Sequence, residues 1–191
     1  GSTSVSAIAR QSDGKIIISG GFTAVAATPR VSIARIGADG ALVTTFDPGT
    51  GMNSLARGSG LLTDGRSVLV GSFTTYNGTT RNSVAMVNAN GSLDTTANIG
   101  LAARGEVIAM ARQADGKIIV TGTLTSVDGT PRASIARLNA DGSNDAAFNP
   151  ATGPNGQISA VAAQQDKKII ISGDFTQYGG AASNRLARLN A

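Results

Sequence analysis

Few residue types in this 191-residue sequence can carry out chemistry, because it contains neither histidine nor cysteine. Its 12 acidic residues are the main candidates, and glycoside hydrolysis would need two of them facing each other across a cleft. Nearly all of them stand at repeated turn positions, where Asp-Gly hairpin geometry accounts for them. The exceptions, Glu106, Asp128 and Asp174, have nothing in the sequence that pairs them. We therefore expect no catalytic residues and no enzyme activity.

Metal and cofactor sites are also not expected. Thiolate and imidazole ligands are absent from the composition. The oxygen-rich stretches NGSLD (residues 90–94) and DGSND (residues 141–145) lack the alternating acids of a calcium loop. No glycine-rich phosphate-binding loop opens a helix.

Arginine and tyrosine side chains are the remaining candidates for ligand binding. A guanidinium group binds carboxylates in a bidentate manner, and a tyrosine ring offers an apolar face with a polar tip. The candidates are Arg30, Tyr76, Arg81, Arg104, Arg132, Tyr178 and Arg185. Three of the arginines recur at one repeat position, so they have a structural alternative as partners of backbone carbonyls. The tyrosines align with Val25 and Val127, which favours packing.

A repeat must position these residues. The phrase QSDGKIIISGGF (residues 11–22) returns in variant form at residues 62–73, 113–124 and 164–175, so that Asp13, Asp64, Asp115 and Asp166 follow at intervals of 51 residues. A constant period of this size indicates a repeat architecture. We assign the repeats to residues 4–53, 54–104, 105–155 and 156–191, within one domain over residues 1–191.

Each copy reads as four short strands, a to d. In the first copy they are SVSAIARQ, KIIISGGF, VSIARI and ALVTTF, with Asp-Gly turns between a and b and between c and d. Strand b is apolar on both faces, and the stretch AVAATPR before strand c reads as a looser connection. The glycine repeated in strand b, first at Gly20, predicts close approach of a neighbouring backbone, with a β-bulge as the alternative. Lys167 replaces the turn glycine of the other copies, so we expect a different turn there.

Four antiparallel strands in about 50 residues, repeated, predict an all-β propeller of four blades with the last one incomplete. Either the four blades close into a ring in which the last blade has only three strands, or the chain is part of a larger or oligomeric propeller. A β-solenoid is the rival fold, but its parallel coils need no hairpins.

The phrases DGKIIISGGFT, IARLNADGS and the phenylalanine that follows them resemble the delta-sixty repeat of large bacterial secreted and surface proteins. The resemblance extends over the whole chain, although the second copy departs at MVNAN and at Ala97. It implies a propeller fold, an extracellular or cell-surface location and a modular role in long adhesin-like or fibre-like chains. It carries over no catalytic residue.

The strand order separates two ends of each copy. The constant Asp-Gly turns share one end, and the longer, more varied b–c and d–a connections share the other, which is rich in arginine. The sequence therefore predicts a recognition or adhesion module that binds a cell-surface glycan or protein through this loop-rich end. The alternative is a spacer or assembly domain that contacts its own copies or neighbouring domains. The net charge of +4 comes without basic runs, and no apolar stretch could span a bilayer, so neither nucleic-acid binding nor membrane insertion is expected.

Overall fold

The computed structural model describes residues 4–97, 104–150 and 152–190. All the regular secondary structure in these ranges is β-strand, which confirms the all-β prediction. Across the same ranges, no helix has the length and apolar character needed to cross a membrane.

Each copy folds into a three-stranded antiparallel sheet, which we call a blade, and a separate two-stranded hairpin. Blade 1 contains β1 (Val5–Arg10), β2 (Ile16–Gly20) and β5 (Ile33–Ile36), with the hairpin β3 (Ala24–Val25) and β4 (Thr28–Pro29). Blade 2 contains β6 (Ala56–Leu61), β7 (Ser67–Gly71) and β10 (Val84–Val87), with β8 (Thr75–Tyr76) and β9 (Thr79–Thr80). Blade 3 contains β11 (Val107–Arg112), β12 (Ile118–Gly122) and β15 (Ile135–Leu138), with β13 (Ser126–Val127) and β14 (Thr130–Pro131). Blade 4 contains β16 (Ile158–Ala163), β17 (Ile169–Gly173) and β20 (Leu186–Leu189), with β18 (Gln177–Tyr178) and β19 (Ala181–Ala182).

The blades group into two compact units. Unit 1 covers Gly1–Thr96 and holds blades 1 and 2, and unit 2 covers Ala97–Ala191 and holds blades 3 and 4. Within unit 1, β1 and β2 lie against β6, and within unit 2, β11 and β12 lie against β16. In each unit the first strands of the two blades therefore pack against each other, which is how repeats that cannot bury their faces alone become stable.

The second strand of each blade is its centre, as the sequence pattern predicted. β7 and β12 are buried at every residue, because each has a strand on both sides and packs on both faces. Phenylalanines complete the two cores: Phe46 and Phe73 pack in unit 1, and Phe148 and Phe175 pack in unit 2.

The glycine at the end of each central strand lies opposite a β-bulge. In blade 1, Val5 pairs with Gly20 but Ala7 pairs with Ser19, so Ser6 is the extra residue. A side chain at Gly20 would collide with the carbonyl oxygen of Ser4. The close approach predicted for this glycine is therefore present, but the approaching backbone belongs to the first strand of the same blade. Close backbone approach and a β-bulge were stated as alternatives, but both occur here, because the bulge in β1 brings its backbone close to Gly20.

The turns between the first two strands are type I turns closed by one left-handed residue. In blade 1 the N–H of Gly14 donates to the carbonyl of Gln11 at 3.1 Å, and Gly14 has φ of 83°. The Asp13 carboxylate accepts the N–H of Lys15 at 3.1 Å, which explains the repeated aspartate. In blade 4, Lys167 has φ of 68° and its N–H makes the same bond to Gln164 at 3.1 Å. The expectation of a different turn at Lys167 is therefore wrong, because the backbone pairing around it imposes the turn.

Two further expectations need correction. The fourth strand of each copy is reduced to a single bridging residue in blades 1 to 3, such as Leu42 opposite Ile36. The chain then turns, with the N–H of Phe46 donating to the carbonyl of Val43, and this turn directs Phe46 back into the core. Conversely, the stretch that we expected to be a loose b–c connection forms the two-stranded hairpin of each copy.

Candidate functional site

Antiparallel pairing gives each blade two different ends. The turns between its first and second strands lie at one end, which we call the turn end. The two-stranded hairpins and the connections from the preceding copy lie at the other, which we call the loop end. Binding sites on repeat scaffolds are built from such variable connections.

Every hairpin at a loop end has a two-residue tip with φ positive at both positions, which is the type I′ turn that matches strand twist. The tips and their φ values are Ala26–Ala27 (46° and 64°), Asn77–Gly78 (45° and 74°), Asp128–Gly129 (48° and 73°) and Gly179–Gly180 (59° and 83°). All eight tip residues are exposed. The backbone is therefore constant and the side chains differ. The alanine pair is strained, since an L-residue in this region costs about 1–2 kcal/mol.

The connection that enters a blade pairs with the hairpin of that blade. The bridges are Met52 with Tyr76, Arg104 with Ser126, and Pro154 with Tyr178. Next to the bridge between Pro154 and Tyr178, the Asn155 side chain accepts hydrogen bonds from the N–H groups of Thr176 and Gln177 at 2.9 and 3.0 Å. It also donates a hydrogen bond to the Thr176 hydroxyl at 2.9 Å.

Asn53 makes the corresponding three bonds to Thr74 and Thr75 in blade 2. Asn53 and Asn155 were not among the predicted site residues, although their separation of two repeat periods is a visible signal in the sequence. They hold the base of the hairpin in blades 2 and 4.

The three recurring arginines bind the backbone of their own blades. Arg30, Arg81 and Arg132 each donate through Nη1 to the carbonyl of the preceding residue, at 2.8, 2.8 and 3.0 Å. Arg30 also donates to the Thr44 carbonyl at 3.2 Å, and Arg132 donates to the Asn144 side chain at 3.1 Å. These contacts match the structural alternative stated for this position.

The two non-recurring arginine candidates are exposed. Arg104 pairs with Ser126 through its backbone and is exposed at the loop end of blade 3. Arg185 lies 3.2 Å from the Asp174 carboxylate in an exposed ion pair, a type of contact that contributes little to stability.

The two tyrosines occupy the same repeat position in different surroundings. Tyr76 is fully buried, its hydroxyl donates to the Gly91 carbonyl at 2.6 Å, and burial raises its pKa far above the ordinary value. Tyr178 is half-buried, and burial raises its pKa to about 12. Tyr178 also lines a pocket of about 340 Å³. The pocket is lined by Phe148, Asn149, Pro150, Tyr178, Arg188, Leu189 and Asn190.

A buried charge cluster lies near the turn end of blade 3. The Asp145 carboxylate accepts hydrogen bonds from Lys117 Nζ and Arg137 Nε, both at 2.7 Å, and the Arg137 guanidinium lies over the Phe148 ring at 4.8 Å. Burial alone would raise the pKa of Asp145, but the bonds from Lys117 and Arg137 outweigh it and lower the pKa.

Blade 2 has a related pair, in which Arg66 binds Asp94 at 2.6 Å. Within the described residues, no three acidic side chains converge in a way that could hold a metal ion.

Four blade-forming repeats with this hairpin geometry define a β-propeller type of protein. The chain belongs to the family described as "Domain of unknown function (DUF5122) beta-propeller", which matches residues 11–46, 62–96, 113–148 and 164–191, more than half of the sequence. The prediction of a four-repeat propeller is therefore confirmed.

One solved structure supports the fold, and the fold alone. The chain is similar to the WD40 beta propeller domain of Doa1, with 16% identity, a TM-score of 0.53, and coverage of 93% of this chain and 47% of that one. It is also similar to a protein of unknown function from Bacteroides caccae, with 16% identity, a TM-score of 0.48, and coverage of 98% of this chain and 61% of that one. The chain thus spans about half of the first structure's length and less than two thirds of the second's. No curated protein matches it.

Proposed function

We propose that this chain is a non-enzymatic recognition module that binds a protein surface through the hairpin tips of its loop ends. The exposed Ala26–Ala27 turn is the observation that carries the proposal. Glycine or asparagine would adopt this backbone at lower cost, and backbone strain of this kind is concentrated at functional sites.

The tips combine a constant backbone with variable side chains. All four are type I′ turns, yet their residues are Ala-Ala, Asn-Gly, Asp-Gly and Gly-Gly. Rigid turns lose little conformational entropy on binding, so small contact areas at the two tips of one unit can add up to useful affinity. The exposed Arg104 next to one hairpin favours an acidic partner surface.

A protein partner fits these features better than a glycan. Sugar-binding surfaces usually offer a flat aromatic face, and the five phenylalanines and Tyr76 are all buried. Tyr178 is the one remaining aromatic residue in the sequence, and it is half-buried in the pocket.

The location of the protein is part of the proposal. The resemblance to delta-sixty repeats supports a module of an exported bacterial surface or fibre protein. Fractionation of the source cells with an antibody against this domain tests it: signal confined to the soluble intracellular fraction would contradict the assignment.

Binding of the chain to arrays of surface proteins and of glycans tests the recognition function. A double variant, Ala24→Glu with Thr79→Glu, adds two acidic groups, one on an exposed hairpin strand of blade 1 and one on an exposed hairpin strand of blade 2. Charge repulsion with an acidic partner should weaken binding about tenfold, mainly through a slower and less salt-dependent association.

The matched control, Ser12→Glu with Thr63→Glu, adds the same charge at exposed turn-end positions of the same two blades. It should bind as the parent chain does. Equal loss in both variants, or specific binding to glycans and to no protein, would refute the proposed function.

A further inference from the structure

Blades 2 and 3 each supply an aspartate to the basic side chains near their turn ends. In blade 3 the Asp145 carboxylate accepts hydrogen bonds from Lys117 Nζ and Arg137 Nε, both at 2.7 Å. In blade 2 the Asp94 carboxylate, one repeat period earlier, accepts a hydrogen bond from Arg66 Nη1 at 2.6 Å. The same repeat position therefore places a carboxylate between basic groups in both blades.

Blade 1 has the two basic residues of blade 3 but lacks the acid. Lys15 and Arg35 stand two repeat periods before the lysine and the arginine of blade 3, and Val43 stands at the position of the aspartate. The Val43 side chain is half-buried and packs against the core of unit 1. Because a valine side chain offers no hydrogen-bond acceptor, the two cations of blade 1 receive no carboxylate from this position.

The partners that Lys15 and Arg35 have in blade 1 are weak or incomplete. Lys15 Nζ binds Asp13 at 2.6 Å, in an ion pair whose side chains are 37% and 51% exposed and which therefore contributes little to stability. Arg35 donates through Nη1 to the Ala89 carbonyl at 2.8 Å. Its Nε is buried and has no hydrogen-bond partner among the described residues, which is a costly arrangement. In blade 3 this same arginine atom binds the aspartate.

A second unsatisfied group belongs to Gln11. Its side-chain oxygen is buried, and within the described ranges it accepts no hydrogen bond. In blade 4 the counterparts of these two groups, Gln164 Oε1 and Arg188 Nε, bond to each other at 2.8 Å, but the same pair of residue types makes no such bond in blade 1. An amide that rotates presents its NH₂ group in place of its oxygen, so Gln11 can become a further donor to an anion.

We propose that Lys15 Nζ and Arg35 Nε form a binding site for the carboxylate group of a bound molecule. The ligand takes the part that Asp145 plays in blade 3, where one carboxylate bridges an ammonium group and a guanidinium group. Lys15 exchanges its exposed partner Asp13 for the ligand. Hydrogen bonds between charged partners are roughly twice as strong as neutral ones, which favours this exchange.

The site lies near the turn end of blade 1, so it is a different surface from the hairpin tips of the loop ends. The inference therefore stands apart from the proposed recognition function. Its test uses small carboxylates and no protein array, so either proposal can fail without the other.

Sodium acetate is the probe, titrated into the isotope-labelled chain at constant ionic strength with sodium chloride as the reference salt. The arginine Nε–H resonances are followed by NMR, and the Arg35 resonance is identified by its absence from the Arg35→Met spectrum. It should shift in a saturable manner with a Kd of about 10 mM or lower. The Arg137 Nε–H resonance is the matched control in the same molecule and should not shift, because Asp145 already binds it.

Three variants test the individual contacts. Lys15→Met removes one cation and should weaken acetate binding about tenfold. Asp13→Asn removes the competing carboxylate but keeps an oxygen for the turn, so it should strengthen binding by up to about threefold. Val43→Asp supplies a carboxylate from the chain itself, as blade 3 does, and should abolish the acetate-dependent shift of Arg35. If Val43→Asp does not fold, the first two variants still decide the question.

A second probe distinguishes the source of the carboxylate. Acetate represents a small carboxylic acid, and the peptide acetyl-Gly-Asp-Gly-amide represents an acidic side chain of a protein. Tighter binding of the peptide assigns the site to a protein ligand, tighter or equal binding of acetate assigns it to a small acid, and either result supports the site. A shift that does not saturate or that chloride reproduces, equal shifts of Arg35 and Arg137, or unchanged acetate binding by Lys15→Met would overturn the inference.

Discussion

Replacing Asp145 by asparagine should destabilise the protein by about 3 kcal/mol at pH 7. The Asp145 side chain is 8% exposed and binds Arg137, whose side chain is 9% exposed, so the substitution leaves a buried cation without its counter-ion. Removing one partner of a buried ion pair costs about 3–5 kcal/mol. The lower end of this energy range applies because Lys117, the other partner of Asp145, has a side chain that is 32% exposed, so water can solvate its ammonium group. Urea unfolding followed by circular dichroism measures the loss.

A double-mutant cycle separates the ion pair from other effects of the substitution. Arg137→Met copies Met86 of blade 2, where the equivalent Asp94 is bound by Arg66. In the Arg137→Met background, Asp145→Asn should cost about 1 kcal/mol, which gives a coupling energy of about 2 kcal/mol. A coupling energy near zero would refute the reasoning, because the cost would then come from packing or from the backbone.

The same substitution has a defined pH dependence. The pKa of Asp145 is lower in the folded chain than its unfolded value of 3.8. Its ionised form therefore adds stability that is fully present above the unfolded pKa and is lost as the pH falls through the folded pKa. The difference in unfolding free energy between the parent chain and Asp145→Asn should be constant from about pH 7 to pH 5 and should shrink below about pH 4. A difference that grows on acidification would contradict the assignment.

Two substitutions test the backbone arguments. Lys167→Gly should raise the unfolding free energy by about 0.5–1 kcal/mol, because Lys167 holds φ of 68° and glycine adopts this conformation without a steric penalty; a lower urea midpoint would contradict this. Gly122→Ala should lower it by about 3 kcal/mol or prevent folding, because the new methyl group would collide with the Glu106 carbonyl opposite the bulge of β11. An unchanged thermal midpoint of the Gly122→Ala variant would show that the bulge can relax.

The sequence by itself determined the repeat, the turns and the central strands. The interval of 51 residues and the Asp-Gly dipeptides are local signals, since a tight turn depends on the few residues that form it. The apolar stretch of KIIISGGF likewise predicts a strand buried on both faces wherever its neighbours lie. The turn at Lys167 could also have been predicted from the sequence, because Lys167 stands at the turn position that the other copies fill with glycine.

Only the tertiary structure decided which side chains are accessible and which charges meet. Tyr76 and Tyr178 share one repeat position, yet Tyr76 is covered by Gly91 and its neighbours whereas Tyr178 lines a pocket. Asp145 meets Lys117 across 28 residues of sequence. Burial and ion pairing depend on which distant segments come together, and in a repeat protein the neighbours of a given position change from copy to copy even where its residue type does not.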